Sequence, residues 1–181
     1  MSFEIERKFL VINDGWRASV IDSDVIRDGV VSEHNGAKVR VRLGQAGAWL
    51  TVKSDRSGPS RLEYDYEIPR SDAEEILTRI CDQNIFEKTR HRVEHAGNIW
   101  LIDIYEGCLS GIVLAEIELQ SEDESFELPD WIGQEVTYNT RFHKRIIGRL
   151  CREAGRPLSV VELLDGRSES GDSSDAVRQA S

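Results

Sequence analysis

Residues 3–12, FEIERKFLVI, combine the alternation of a β-strand with an unusually charged face. The phase of Phe9 is largely apolar, while the other phase holds Glu4, Glu6 and Lys8. A period of two predicts a strand whose successive side chains point to opposite faces. Two acids and a base in consecutive positions of one face are more than a solvent-facing strand requires. The stretch therefore raises the hypothesis that this face points at something other than bulk water.

Seven further segments repeat the alternation. They are residues 25–31, 37–43, 49–54, 61–68, 87–95, 99–107 and 113–120. The fourth of these, RLEYDYEI, alternates without a break, with charged residues in one phase and Leu, Tyr, Tyr and Ile in the other. Helical spacing of apolar residues predicts helices over 71–82 and 139–155 and a short helix over 14–20. Eight predicted strands with two or three helices define an α+β chain.

The charged phases of these strands are segregated by sign. The acids are Glu4, Glu6, Glu63, Asp65, Glu67, Asp103, Glu116 and Glu118. The bases are Lys8, Lys38, Arg40, Arg42, Lys53, Arg61, Lys88, Arg90 and Arg92. In an open sheet this face would meet solvent, where an ion pair is worth roughly 0–1 kcal/mol. In a closed eight-stranded barrel the same face would line an interior large enough for a small ligand. The alternation alone leaves both architectures open.

Composition excludes several classes of partner. The 181-residue chain is 31% charged, with a formal net charge of -10, so its surface would repel phosphate backbones and anionic membranes. No apolar run approaches the length of a membrane span, and no secretory signal is visible. The three cysteines are far apart, which suggests neither a zinc site nor a disulfide framework. We therefore expect a cytoplasmic protein that binds neither nucleic acid nor membranes.

The regular patterning of the chain ends near residue 155. Residues 1–155 are predicted to form one domain, and residues 156–181 a C-terminal tail that ends in Ser, Gly and Asp. From about residue 166 onward the tail is expected to be disordered. The apolar stretch SVVELL, residues 159–164, either docks on the domain or forms a short helix, and the sequence leaves these alternatives open.

Where two acidic strands meet, their side chains can hold a metal ion. Acids two residues apart on one strand face lie about 7 Å from each other, so two such pairs would form a cage of oxygens. The pairs in this chain are Glu4 with Glu6 and Glu116 with Glu118. Oxygen cages select hard divalent cations such as Mg²⁺ or Mn²⁺, and rows of Arg and Lys beside them would bind phosphate. On these grounds a metal and phosphate site and a solvated face remain equal alternatives.

An ordered series of motifs resembles one known superfamily. EIERKFL, residues 4–10, is similar to the ExExK signature that opens the CYTH, or triphosphate tunnel metalloenzyme, superfamily. KVRVRL, LTVKS, SRLEYDYEI, EKTRHRV, WLIDIYEG and LAEIEL follow in the family's order, over roughly residues 2–150. The resemblance implies an eight-stranded antiparallel β-barrel, a tunnel with an ionic lumen and helices packed outside, a divalent metal and triphosphate-bearing substrates. A short chain with this signature most resembles the bacterial inorganic triphosphatase branch.

The resemblance also implies roles for individual residues. The implied metal ligands are Glu4, Glu6, Asp103, Glu116 and Glu118. The implied substrate-binding residues are Lys8, Arg40, Arg42, Lys53, Arg61, Lys88 and Arg90. The implied catalytic residues are Glu63, Asp65, Lys88 and Arg90. Two stretches depart from the family's pattern: DGV, residues 28–30, stands where relatives often have QGY, and RFHKRIIG, residues 141–148, replaces the more usual aromatic-x-Asn pattern.

The predicted activity is hydrolysis of a triphosphate, inorganic tripolyphosphate first, by attack of a metal-activated water on the terminal phosphorus. Mg²⁺ or Mn²⁺ would be the cofactor, and Glu63 or Asp65 would position the water. The alternatives are a class IV-type adenylyl cyclase, a thiamine triphosphatase, and a non-catalytic binder of polyphosphate or phosphorylated ligands. The expected partner is a small triphosphate-bearing substrate, and assembly as a homodimer is left open.

Overall fold

The computed structural model describes residues 3–55, 60–81 and 85–166. The strands within these ranges are β1 (Phe3–Val11), β2 (Val20–His34), β3 (Ala37–Leu43), β4 (Ala48–Lys53), β5 (Ser60–Glu67), β6 (Ile85–His95), β7 (Asn98–Tyr105), β8 (Val113–Glu118) and β9 (Ile132–Glu135). The α-helices are α1 (Arg70–Arg79), α2 (Lys144–Ala154) and α3 (Val160–Asp165). Short 3-10 helices cover Gly15–Ser19, Gly107–Leu109 and Thr140–Phe142. All eight predicted strands are present, β2 is longer than expected, and β9 was not predicted.

Eight of the strands close into a ring in the order β1-β5-β4-β3-β2-β6-β7-β8, and every neighbouring pair is antiparallel. Closure depends on β1, because its residues 3–5 pair with β5 while its residues 6–10 pair with β8. β9 pairs with the far end of β1, at Phe9 and Val11. The predicted α+β class and eight-stranded antiparallel barrel are therefore confirmed, and the open sheet is excluded.

The hairpin between β2 and β3 is set by the dipeptide Asn35–Gly36. Both residues have positive φ, at 48° and 79°. Two successive residues with positive φ form a turn whose twist matches that of antiparallel strands. Asn followed by Gly is the preferred sequence of this turn. The turn fixes the register from His34 to Ser32, and an irregularity between Ser32 and Val30 shifts the pairing by one residue, so that Asp28 of β2 lies opposite Arg42 of β3. The turn and this shift together decide which charged side chains become neighbours inside the barrel.

The apolar phases of the strands face outward, where three clusters of side chains cover most of them, although Tyr64 and Tyr66 of β5 are 42% and 57% exposed. α1 packs on β2, β3 and β4, with Leu77 fully buried, and a Cβ at Gly29 would lie 2.7 Å from Leu77 Cδ2. Trp16, Trp100 and Trp131 belong to a second, aromatic-rich cluster over β1, β7 and β8. The third cluster joins α2 and α3 to the barrel. Because most of the apolar faces are covered from outside, the charged phases are left to line the interior.

The C-terminal helices differ from the predicted helix over 139–155. α2 begins at Lys144, because residues 140–142 form a 3-10 turn, and it ends at Gly155, which has a φ of 67°. The stretch SVVELL forms α3, capped by Ser159, and its Leu163 is buried in the same cluster as α2. Residues 167–181, expected to be disordered, lie outside the described residues. Within the described ranges, no helix is both long and apolar enough to cross a membrane.

Candidate functional site

A cavity of about 570 Å³ occupies the interior of the barrel. The residues of the predicted ionic set that line it are Glu4, Glu6, Lys8, Lys38, Arg40, Arg42, Lys53, Arg61, Glu63, Asp65, Arg90, Glu116 and Glu118. The ionic lumen implied by the family resemblance is therefore confirmed. Two predicted site residues, Lys88 and Asp103, are 2% and 0% exposed and lie behind the lining.

Glu4 stands where β1 closes the barrel on β5. The ladder sets Glu4 opposite Arg61, and its carboxylate accepts hydrogen bonds from Lys53 Nζ at 3.0 Å and from Arg61 Nε at 2.5 Å. Lys53 Nζ also donates to Glu63. Burial by itself would raise the pKa of Glu4, but Lys53 and Arg61 lower it well below its ordinary value. Burial and the hydrogen bond with Glu4 raise the pKa of Glu63 to about 7, so of this pair Glu63 is the one that retains a proton near neutral pH.

The raised pKa of Glu63 predicts a pH-dependent effect of Glu63→Gln on stability. The carboxyl group has a higher pKa in the folded than in the unfolded chain, so its neutral form stabilises the fold at low pH and this contribution is lost as pH rises through about 7. Glutamine remains neutral. In metal-free buffer we expect the variant to be more stable than the original chain at pH 8, by on the order of 1–3 kcal/mol, and equally stable near pH 5.

Denaturant unfolding at the two pH values measures this difference. Glu67→Gln, at the exposed end of the same strand, is the matched control and should show no such change between pH 5 and pH 8. A stability difference for Glu63→Gln that is the same at both pH values would contradict the assignment of the retained proton to Glu63.

An acidic wall forms where β1 pairs with β8. Glu6 lies directly opposite Glu118, and Lys8 lies opposite Glu116. Lys8 Nζ is 2.9 Å from Glu116 Oε1 and 3.7 Å from Glu6 Oε1. Partial burial, together with the negative charges of Glu4 and Glu6, raises the pKa of Glu118. The wall therefore gathers carboxylates that repel one another in the absence of further cations.

Arg90 links the acidic wall to the buried pair behind it. Its guanidinium donates to both oxygens of Asp103, at 2.7 and 2.8 Å, and to Glu116 at 2.6 Å. Lys88 Nζ also donates to Asp103, as does the Tyr105 hydroxyl at 3.3 Å. Burial and the charge of Arg90 lower the pKa of Lys88 well below its ordinary value. Both oxygens of Asp103 are thus engaged by neighbouring side chains.

Sequence reasoning missed five charged residues of the lining, which are Asp28, Glu33, Asp55, Lys144 and Arg145. Asp28 is 2% exposed, and its carboxylate lies 3.6 Å from Arg40 Nε, 3.7 Å from Arg42 Nε and 3.3 Å from Lys144 Nζ. Strand phase could have found Asp28, because it shares the inward phase of β2 with Val30, but this strand was predicted from its apolar residues alone. Lys144 is carried by a helix, where strand phase gives no signal.

Several guanidinium donors in the lining lack partners. Arg40 Nε, Arg40 Nη2 and Arg42 Nε are buried without a hydrogen-bond partner within the described residues. Nearly all buried polar groups in folded proteins are hydrogen-bonded, so such exceptions need an explanation. Here the unmet donors belong to residues that line a cavity, which is the arrangement expected of a site that awaits an anionic ligand.

Charges of both signs balance along the cavity. Nine acids and nine Lys or Arg residues line it. Within the described ranges, no three His, Cys, Asp or Glu side chains lie close enough together to hold a metal ion. The carboxylates point instead at Lys and Arg, as at Glu4 and Glu116. A near-neutral lining does not by itself neutralise a ligand with several negative charges.

A second cavity, of about 580 Å³, adjoins the first. Arg42 and Arg90 line both, and Trp49 and Arg92 line only the second. Arg92, which shares the inward phase of β6, pairs with Asp22 at 2.8 Å, and both side chains are about half exposed. The barrel interior is therefore bounded on this side by two arginines and not by an apolar plug.

A closed antiparallel barrel with an ionic lumen, in which buried guanidinium donors make no hydrogen bond to the described residues, defines a class of barrel suited to a small charged ligand. Within that class the chain belongs to the CYTH domain family, which matches residues 2–145. The match includes all eight strands of the ring and the start of α2.

Proteins of known sequence or structure agree with this placement. The chain is 42% identical over 142 residues to an inorganic triphosphatase of Acetivibrio thermocellus, covering 78% of this chain and 90% of that protein. It is 34% identical over 151 residues to an inorganic triphosphatase of Nitrosomonas europaea, covering 80% and 95%. A crystal structure of an inorganic triphosphatase superimposes with a TM-score of 0.58 at 29% identity, covering 82% of this chain and 95% of that one.

Proposed function

We propose that the protein is a divalent-metal-dependent hydrolase of small triphosphates, with inorganic tripolyphosphate as the first substrate. The observation that carries the proposal is the set of buried, unpartnered donors of Arg40 and Arg42 on the wall of an ionic tunnel. The chain's 42% identity to an inorganic triphosphatase supports the same activity. A cavity of about 570 Å³ suits a small ligand and is too enclosed for a nucleic acid duplex.

The acidic wall fits a hard divalent cation by the chemistry of its donors. Glu6, Glu116 and Glu118 supply carboxylate oxygens, with Glu4 on the same side of the cavity, and Mg²⁺ and Mn²⁺ prefer such ligands. Binding would require Glu116 and Glu4 to turn from their Lys and Arg partners toward the ion. A bound cation supplies charge neutralisation and lowers the pKa of a coordinated water. It also offsets the charge of a polyanion, which the near-neutral lining cannot do alone.

The chain's own cations would position the phosphate groups. Arg40 and Arg42 line the lumen and hold buried donors without hydrogen bonds to the described residues, and Arg61, Lys53 and Lys8 lie along the neighbouring walls. Guanidinium groups bind phosphate oxygens in pairs, and a preorganised positive charge stabilises the charge that develops during phosphoryl transfer. In phosphoryl transfer, such positioning and neutralisation supply most of the catalysis.

Glu63 is the best placed proton acceptor. Its pKa of about 7 lets the carboxylate take a proton from the attacking water near neutral pH. Asp65, held by a hydrogen bond from Thr51 Oγ1 at 2.5 Å, would help to orient that water. We assign Asp103 a different role from the metal ligation implied by resemblance. Its two oxygens position Arg90 and Lys88, so it would act on the phosphate through those residues.

A single assay separates the candidate activities. The purified protein is incubated with tripolyphosphate, thiamine triphosphate or ATP, each with Mg²⁺ or Mn²⁺, and the products are identified. Free phosphate with tripolyphosphate as the best substrate supports the proposal. Cyclic AMP and pyrophosphate from ATP would indicate a cyclase instead. Saturable binding without any turnover would replace the hydrolase with a polyphosphate-binding protein.

A further inference from the structure

Lys144 enters the tunnel from a helix and not from a strand. It is the first residue of α2, it lines the cavity, and its Nζ lies 3.3 Å from Asp28 Oδ2. The helix that carries it is held closely against the barrel, because a Cβ at Gly148 would lie only 2.9 Å from the ring of Phe86. Ile147, also on α2, is fully buried in the adjoining apolar cluster. The position of Lys144 is therefore set by the docking of α2.

One buried carboxylate, Asp28, faces three cations at this point of the tunnel. They are Arg40, Arg42 and Lys144. Burial by itself would raise the pKa of Asp28, but Arg40, Lys144 and other nearby cations lower it well below its ordinary value, so the group is ionised. Three positive charges around one negative charge leave a local excess of about two, unlike the balanced lining as a whole. The distances from Asp28 to the two arginines are too long for hydrogen bonds, and guanidinium donors remain unmet.

The strand that carries Asp28 lies across the ring from the acidic wall, while the charge of Lys144 is near enough to that wall to lower the pKa of Glu116. In the ring, β2, which carries Asp28, is four strands from β1 in either direction. The acidic wall is built on β1 and β8. A linear polyanion in the tunnel could therefore meet both carboxylate-bound cations and the side chains around Asp28.

We propose that Lys144 is a phosphate-binding residue of the tunnel, and that Asp28 positions it together with Arg40 and Arg42 as a cradle for one phosphate group of the ligand. This inference rests on the proposed function, since the ligand is the same triphosphate. Asp28 and Lys144, which lie on β2 and α2, place opposite charges in contact.

The test compares Lys144→Gln with Lys144→Arg and with Arg149→Gln, which removes a charge from an exposed position of the same helix. Lys144 would hold the bound substrate and the transition state equally, whereas Arg40 meets the developing charge. Lys144→Gln should therefore raise KM for tripolyphosphate by about 10- to 100-fold and change kcat little. Lys144→Arg should recover most of the loss, and Arg149→Gln should leave KM unchanged. Equal KM values for the two Gln variants would overturn the proposal.

Calorimetric titration with tripolyphosphate in EDTA provides a second readout that needs no turnover. Lys144→Gln should weaken binding at least about tenfold relative to Arg149→Gln. Such a loss in a chain that hydrolyses nothing would remove the proposed function and leave this inference standing. If the protein hydrolyses tripolyphosphate but neither KM nor the binding constant depends on Lys144, the proposed function stands and this inference is overturned.

The positioning role of Asp28 is tested by a double-mutant cycle. In an Asp28→Asn background, Lys144 loses its partner, so Lys144→Gln should raise KM several-fold less than in the original chain. Fully additive effects of the two substitutions on KM would contradict a positioning role for Asp28. Melting curves of each variant establish that the fold is retained.

Discussion

Tripolyphosphate hydrolysis is expected to fall by about 10³-fold or more in EDTA and to return when Mg²⁺ or Mn²⁺ is added. The physical reason lies in the charges of the tunnel. Nine acids and nine Lys or Arg residues line the cavity, so the chain alone cannot neutralise a substrate with several negative charges. Divalent cations on the acidic wall would supply the missing charge, and its clustered carboxylates, including Glu118 with its raised pKa, would be relieved of mutual repulsion.

Phosphate release before chelation, in EDTA and after restoration of each metal measures this effect. The melting temperature of the chelated protein is the control, because loss of activity through unfolding would also lower it. We expect the fold to survive chelation, since the three apolar clusters lie outside the tunnel and do not depend on the ion. Full turnover in EDTA would rule out the metal-dependent mechanism.

Arg40→Ala is expected to lower the rate of tripolyphosphate hydrolysis by about 10²- to 10³-fold. Arg40 lines the cavity with two unpartnered donors, and its side chain is only 14% exposed. A buried, preorganised guanidinium stabilises developing charge far more than a solvated one. Arg40→Lys should restore only part of the rate, because an ammonium group cannot offer the same paired donors to a phosphate.

Arg92→Ala is the matched control for this prediction. Arg92 shares the inward phase of its strand, but its side chain is 49% exposed and pairs with Asp22 beside the second cavity. Its loss should change the rate by no more than a few-fold. Steady-state kinetics of tripolyphosphate hydrolysis by Arg40→Ala and Arg92→Ala measure the difference between the two positions. Equal, mild losses would mean that the charged lining acts as a solvated surface and not as a phosphate site.

The sequence by itself determined the strand set and the face on which each charged residue lies. Alternation is a local property, since neighbouring side chains on a strand point to opposite sides whatever the rest of the chain does. Glu4, Arg40 and Glu116 could thus be placed on one face from the sequence. Alternation did not decide between an open and a closed sheet, and there the resemblance to a known family was needed.

Only the tertiary structure decided how the charged residues are partnered. Closure rests on the three-residue contact of β1 with β5, which sets Glu4 against Arg61 across more than fifty positions of the chain. Asp103 and Lys88 share the inward phase, yet their mutual pairing and the Tyr105 hydroxyl draw them behind the lining. Strand phase does not predict whether an inward side chain will face the cavity or will instead pair with a neighbouring side chain.

The placement of Lys144 shows most clearly what was beyond the sequence. Its entry into the tunnel depends on where α2 docks, and that depends on apolar contacts between residues such as Phe86 and Ile147, which are far apart in the chain. The helical period predicts which side of α2 is apolar, but not which part of the barrel that side will cover. Periodicity assigns a face to a residue, whereas long-range packing assigns its partners, and the chemistry of this tunnel depends on both.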